Sequence, residues 1–239
     1  MAFIETTDLC KFYNRNDPDE VRAIRDISLR VEKGSTTIIR GPSGSGKTTL
    51  ISQIGAIDRP TSGEVYVDGN QLNRMSESAL SRIRRDMIGF VFQSFNLIGR
   101  LPAWENVSYP LIPTGLDDSK RLQKALEVME SLGLGDRLHH LPEELSGGQQ
   151  QRVAIARALV NSPELIIADE PSASIDKKSV ENLIRLFVDF RDEGRTLVIS
   201  THDPLLYPLA DQIVELDEGR IVNILKGESG GVSKQAEAV

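Results

Sequence analysis

The chain has 239 residues, 39% hydrophobic and 26% charged, which is ordinary globular usage and excludes collagen-like, low-complexity and largely disordered architectures. Its 35 acidic and 28 basic residues leave a formal charge of −7, the wrong sign for a general phosphate-backbone binder, so no nucleic-acid partner is expected. One cysteine, Cys10, offers no internal disulfide, and neither a secretory pattern in Met1–Tyr13 nor a stretch of about 18 apolar residues is present, so any membrane role is expected to come through a partner.

The body reads as alternating strands and helices, the pattern of an α/β sheet. Ser35–Arg40 is β-rich and runs into a glycine loop, and Lys47–Ala56 is helical. Glu64–Val67 is a short strand closed by the turn Asp68-Gly69. Ser76–Asp86 is a charged surface helix and Ile88–Phe92 a strand. From Ser94 to Gly115, prolines and glycines break the pattern. Asp117–Leu132 carries a helical stripe at Leu122, Ala125, Leu126 and Met129, and Ser146–Val160 is a second helix. Leu165–Ala168 is a wholly apolar strand, as expected when helices cover both faces. Asp176–Arg191 is amphipathic, Leu197–Ser200 is a buried strand, and Ile213–Leu216 with Ile221–Leu225 form a hairpin. These elements divide the chain into a core, residues 1–94 and 160–226, an inserted helical block, residues 95–159, and a small polar tail, residues 227–239, expected to be disordered.

Two motifs carry chemistry. Gly41-Pro42-Ser43-Gly44-Ser45-Gly46-Lys47-Thr48 fits G-x-x-x-x-G-K-[ST] between a strand and a helix. Glycines let backbone N–H groups converge on phosphate oxygens, and the following helix N-terminus adds about half a positive charge. In this pattern Lys47 reaches the β- and γ-phosphates and the Thr48 hydroxyl ligates Mg²⁺; Gly41, Ser43, Gly44, Ser45, Gly46 and Thr49 complete the expected nucleotide contacts. A chance match in a chain of this length is on the order of one in a hundred, and the strand–loop–helix context lowers it further. The second motif is Leu165–Ala168 running into Asp169-Glu170, which puts the acids at the carboxyl edge of the sheet, where nucleotides sit. Asp169 is the expected Mg²⁺ residue and Glu170 the base that orients and deprotonates water.

Leu145-Ser146-Gly147-Gly148-Gln149, continuing into Gln150–Leu159, is the segment by which the chain resembles the ATP-binding-cassette (ABC) ATPases. The resemblance spans about residues 3–227 and implies a RecA-like P-loop core with an antiparallel β subdomain and an inserted α-helical subdomain. Two glycines in a first helical turn cost about 1 kcal/mol each relative to alanine, which makes sense if an anion approaches that helix end. By the same resemblance Gln93 is the glutamine that touches Mg²⁺ or water, Asp176 closes the loop Ser172–Asp176, and His202 contacts the γ-phosphate. Tyr13 stacks on adenine; its plain alternative is a half-buried tyrosine. Ser174-Ile175 departs from the usual Ala-Leu or Asn-Leu of the family.

Asp58–Glu64, Gly89–Leu97, Glu105-Asn106-Val107 and Pro110-Leu111 are most similar to the lipoprotein-releasing, macrolide-exporting and cell-division ABC subunits, from which Gly99 and Trp104 depart. The resemblance implies a peripheral ATPase on the cytoplasmic face of the membrane. It would bind ATP and Mg²⁺, pair head-to-tail with a second nucleotide-binding subunit, and drive an integral membrane permease in export or extrusion. Force transmission to an extracytoplasmic hydrolase or regulator is the alternative, and a soluble ribosome-associated cassette the more remote one. Among weaker features, Arg82, Arg84 and Arg85 read as a solvated helix face and His139-His140 as a surface turn, with no metal spacing. Cys10 reads as a core residue, and Trp104 as core or a partner-facing anchor.

Overall fold

The computed structural model describes residues 2–15 and 17–227. The strands are β1 (Ala2–Tyr13), β2 (Val21–Glu32), β3 (Thr36–Arg40), β4 (Ser62–Val67), β5 (Asn70–Gln71), β6 (Ile88–Val91), β7 (Leu165–Asp169), β8 (Thr196–Ser200), β9 (Gln212–Asp217) and β10 (Arg220–Lys226). The α-helices are α1 (Lys47–Ile54), α2 (Glu77–Asp86), α3 (Ala103–Ser108), α4 (Asp118–Ser131), α5 (Gly147–Leu159) and α6 (Lys177–Asp192). They build two sheets. A six-stranded sheet runs β10-β9-β3-β8-β7-β6, parallel except for the β9–β10 hairpin, and a four-stranded antiparallel sheet runs β2-β1-β4-β5. This is an α/β core sheet with an antiparallel β layer beside it.

Burial follows from the strand sequences. β3, β7 and β8 are buried along almost their whole length because both faces are covered. One apolar cluster lies between the two sheets, around Ile4, Leu9, Ile27, Ile39 and Leu50. The other joins the opposite face of the large sheet to the helices, around Ile38, Ile166, Val153, Ile155 and Phe187. α5 belongs to that second cluster and also packs on β6, where a Cβ on Gly89 would lie 2.5 Å from the Ala158 carbonyl oxygen.

Helix starts follow local side chains. Ser76, Asp117, Ser146 and Asp176 each accept an amide N–H of the following first turn, at α2, α4, α5 and α6 respectively. Three elements go beyond the sequence expectation. β1 and β2 are long strands, interrupted by bulges at which Asp8 and Asp26 take positive φ. α3 forms inside the proline-rich stretch because its Ala103 and Trp104 amides donate to the carbonyls of His140 and Leu138. The segment expected to be a disordered tail lies outside the described residues, except for Gly227.

Candidate nucleotide site

The site begins at the carboxyl end of β3. Backbone crowding sets the loop glycines: a Cβ on Gly41 would lie 2.1 Å from the Leu216 carbonyl oxygen, and one on Gly46, at φ +100°, would lie 2.4 Å from that of Ala23. The β9–β10 turn braces the loop, with the Gly219 amide donating to the Ser45 carbonyl at 3.1 Å and the Arg25 amide to the Gly219 carbonyl at 2.8 Å. α1 has no side-chain cap and no acidic residue in its first turn, so its amides are left for an anion. The Ser45 hydroxyl is buried with no hydrogen-bond partner among the described residues, and the Lys47 ammonium, itself buried, donates to the Gly41 and Pro42 carbonyls at 2.9 and 3.0 Å. A cradle of free amides, an orphaned hydroxyl and a buried cation fits a polyphosphate.

The acids arrive from β7. Asp169 accepts the Thr48 hydroxyl at 2.9 and 3.2 Å and also the Ser200 hydroxyl from β8. Glu170 follows at φ +45°, a region that costs a non-glycine residue about 1 kcal/mol or more. Its amide bonds the Ser200 carbonyl at 2.9 Å, which turns the side chain over the loop. There the carboxylate meets His202 Nδ1 at 2.8 Å and the His202 amide at 3.3 Å, and it lies 4.0 Å from Lys47 Nζ. Gln93, exposed beyond β6, joins Lys47, Thr48, Thr49, Glu170 and His202 around one cleft of about 1020 Å³.

Other expected site residues lie elsewhere. Ser146 and Gln149 form a reciprocal cap, Gln149 amide to Ser146 Oγ at 3.3 Å and Ser146 amide to Gln149 Oε1 at 2.8 Å, and neither lines the cleft. Asp176 caps α6 through the Ser179 amide and hydroxyl at 3.0 and 2.9 Å, the contacts that hold its carboxyl below the usual range. Tyr13 is 40% exposed; its hydroxyl donates to Asp58 at 3.2 Å and Lys11 Nζ lies 5.0 Å from its ring centre. It pairs across the sheet with Val21, which does line the cleft, so Tyr13 stands at the rim.

The two signature glycines separate. A Cβ on Gly148 would lie 2.4 Å from the Ser179 hydroxyl, whereas one on Gly147 meets only the Ser174 carbonyl, at 3.4 Å. Gly148 is therefore small for packing inside the chain. Gly148→Ala is expected to displace Ser179 from Asp176 and cost about 1 kcal/mol, with Ser179→Ala relieving the loss, while Gly147→Ala is neutral or slightly stabilising. Thermal unfolding of the three variants checks this.

Sequence reasoning missed Ser200, which orients Asp169, and the outer cleft wall at residues 20–23, 25, 218 and 219. The Asp217–Arg220 turn is legible as a hairpin; its bond to the phosphate loop is not, because nothing local encodes it.

A strand–glycine loop–helix beside an acid-tipped strand defines a P-loop nucleoside triphosphatase. The profile of the ABC transporter family matches residues 24–173, and the chain belongs to that family: it binds and hydrolyses ATP as an ABC cassette. An ABC transporter ATP-binding protein of Thermotoga maritima is 47% identical over 92% of this chain and 94% of its own length. The macrolide export ATP-binding/permease protein MacB of Hyphomonas neptunium is 42% identical over 98% of this chain, which spans 35% of MacB. A solved structure of the cassette MJ0796, a dimer in a post-hydrolysis state with ADP and Pi, superposes with TM-score 0.87 at 39% identity, covering 94% of this chain and 99% of that one.

Proposed function

We propose that this cassette closes head-to-tail on a second copy around two ATP molecules and drives a membrane permease, in export or extrusion, from the cytoplasmic face of the membrane. The observation that carries the reading is the split site. The cleft gathers the phosphate loop, Asp169, Glu170, Gln93 and His202, while the helix end at Ser146–Gly148, capped by its own Ser146 and Gln149, stands outside it. A second subunit supplies that end in trans. The solved dimers of MJ0796 support the pairing and the MacB relatives support export. No helix of the described residues is long and apolar enough to cross a membrane.

The residues divide the work as follows. Loop amides and the α1 N-terminus hold the phosphates, and Lys47 exchanges its two loop carbonyls for β- and γ-phosphate oxygens. Thr48, Asp169 and Gln93 are the oxygen donors for Mg²⁺, which neutralises charge across the phosphates when bound. Glu170 takes the proton of the attacking water, whose oxygen bonds to the γ-phosphorus as the bond to the β-phosphate oxygen breaks and ADP leaves with that electron pair. His202, held on Glu170, faces the γ-phosphate, and Tyr13 at the rim takes the adenine. The partner's Ser146, Gly147, Gly148 and Gln149 close over the γ-phosphate, with Asp176 ordering the loop between the sites. Phosphate loss then opens the dimer.

The test is purification of tagged Glu170→Gln from detergent-solubilised native membranes with ATP and Mg²⁺. Equal stoichiometry with a multi-span protein is expected, followed by flux measurement in proteoliposomes. An ATP-trapped soluble dimer with no membrane partner would contradict the transport reading.

A further inference from the structure

The helix that starts at Ser146 ends on the glutamine loop of its own nucleotide site. In the last turn of α5, Arg157 donates from Nη1 to the Asn96 carbonyl at 2.5 Å and from Nη2 to the Phe95 carbonyl at 2.6 Å. No carboxylate among the described residues pairs with this guanidinium, and burial lowers its pKa from the ordinary arginine value. Its partners are two consecutive left-handed residues, Phe95 at φ +58° and Asn96 at φ +51°, neither of them glycine. Such a pair persists where the surroundings over-determine it. In extended backbone successive carbonyls point to opposite sides; helical turns of either hand align them, so the planar fork holds both only while the turn is kept.

That turn sits two residues after Gln93. The Gln93 side chain is exposed and makes no hydrogen bond among the described residues, so its place at the cleft is set by its backbone. Besides the local bonds of the Phe95 amide to the Phe92 carbonyl at 3.1 Å and the Asn96 amide to the Ser94 carbonyl at 2.6 Å, side chains of three residues tether this backbone among the described residues: Arg157, Ser174 by its hydroxyl on the Gln93 carbonyl at 3.4 Å, and Asn106, whose Oδ1 accepts the Ile98 amide at 2.7 Å. Of these, Arg157 alone belongs to α5. The distance from Gly147 to Arg157 along a rigid helix is about 15 Å.

We propose that Arg157 is a positioning residue for ATP hydrolysis: it fixes the Phe95–Asn96 turn, presents Gln93 to the phosphate end of the cleft, and ties that presentation to the orientation of α5. The inference rests on the role given above to Gln93. One rigid element then joins the helix end offered to the partner's nucleotide to a catalytic loop of the subunit's own nucleotide. Displacing α5 displaces Gln93 without disturbing the phosphate loop.

The full-length chain is tested as Arg157→Met, Arg157→Lys, Gln93→Ala and the Gln93→Ala/Arg157→Met double variant, by steady-state ATPase rates and by equilibrium binding of a fluorescent ATP analogue. Arg157→Met is expected to lower kcat about tenfold, with the dissociation constant of the analogue within about twofold of wild type. Arg157→Lys, with a cation but no fork, is expected to recover part of the rate. The double variant is expected to be no slower than Gln93→Ala, since both remove one function. Multiplicative losses would place the effect of Arg157 elsewhere and overturn the inference, as would a lowered thermal midpoint with kcat retained. Wild-type turnover by Gln93→Ala would instead remove the role of Gln93, and the inference with it. If Arg157→Met does not fold, Arg157→Lys carries the same comparison, and additivity with Gln93→Ala overturns the inference equally.

Discussion

Glu170→Gln is expected to bind ATP as tightly as the wild type and to lose about 10²–10⁴-fold in turnover. The grip on the phosphates comes from the loop amides, Lys47 and the α1 N-terminus, all of which remain in the variant; only the 4.0 Å ion pair of Lys47 with Glu170 is lost. What it removes is a carboxylate that leans over the loop, 13% exposed, 4.0 Å from Lys47 and 2.8 Å from His202. An amide of the same size cannot take a proton from water. Its place also depends on the backbone: φ +45° at residue 170 and the amide bond to the Ser200 carbonyl aim the side chain, and both survive the change. Phosphate release under saturating ATP, measured beside equilibrium binding, separates the two effects. Wild-type turnover would remove Glu170 from the role of base.

Lys47→Met is expected to weaken ATP binding by about 100-fold or more and to abolish turnover. The ammonium is buried, 9% exposed, and its hydrogen bonds end on two carbonyls of the loop it closes. A charge-assisted hydrogen bond at such a site is worth about 1.5–3 kcal/mol, and a triphosphate would accept more than one. Removal also leaves Asp169 and Glu170 facing the phosphates with less opposing charge. Methionine keeps most of the side-chain volume, so the fold should hold. Equilibrium binding of ATP checks the loss, and a thermal midpoint near wild type shows that the loss is not unfolding. Retained affinity would mean that the loop amides alone carry the phosphates.

The phosphate loop, the acid-tipped β7 and the capped α5 are legible in the chain because each is local. A glycine run, an apolar run ending in Asp169-Glu170, and Ser146 with Gln149 three residues on are patterns a reader can see. β1 and β2 are harder: bulges at Asp8 and Asp26 interrupt their alternation, although Ile27, Leu29 and Val31 carry a readable period of two in β2. α3 is hidden by Pro102 and Pro110, because its start is capped from residues 138 and 140, far along the chain. The signature glycines are legible as a pair but not as two different requirements. Ser179, which makes Gly148 necessary, lies on another helix. Arg157 reads as an ordinary last-turn cation until the fold brings the Phe95 and Asn96 carbonyls to it. Sequence reasoning thus finds chemistry that one segment carries and misses chemistry that packing assembles.

The composite site is the central claim, and sedimentation velocity of Glu170→Gln tests it most directly. Monomer without nucleotide, dimer with ATP, and monomer again with ATP once Ser146→Arg is added to block the helix end are the expected results. A dimer that forms regardless of ATP, or one that forms with ATP despite Ser146→Arg, would contradict the account.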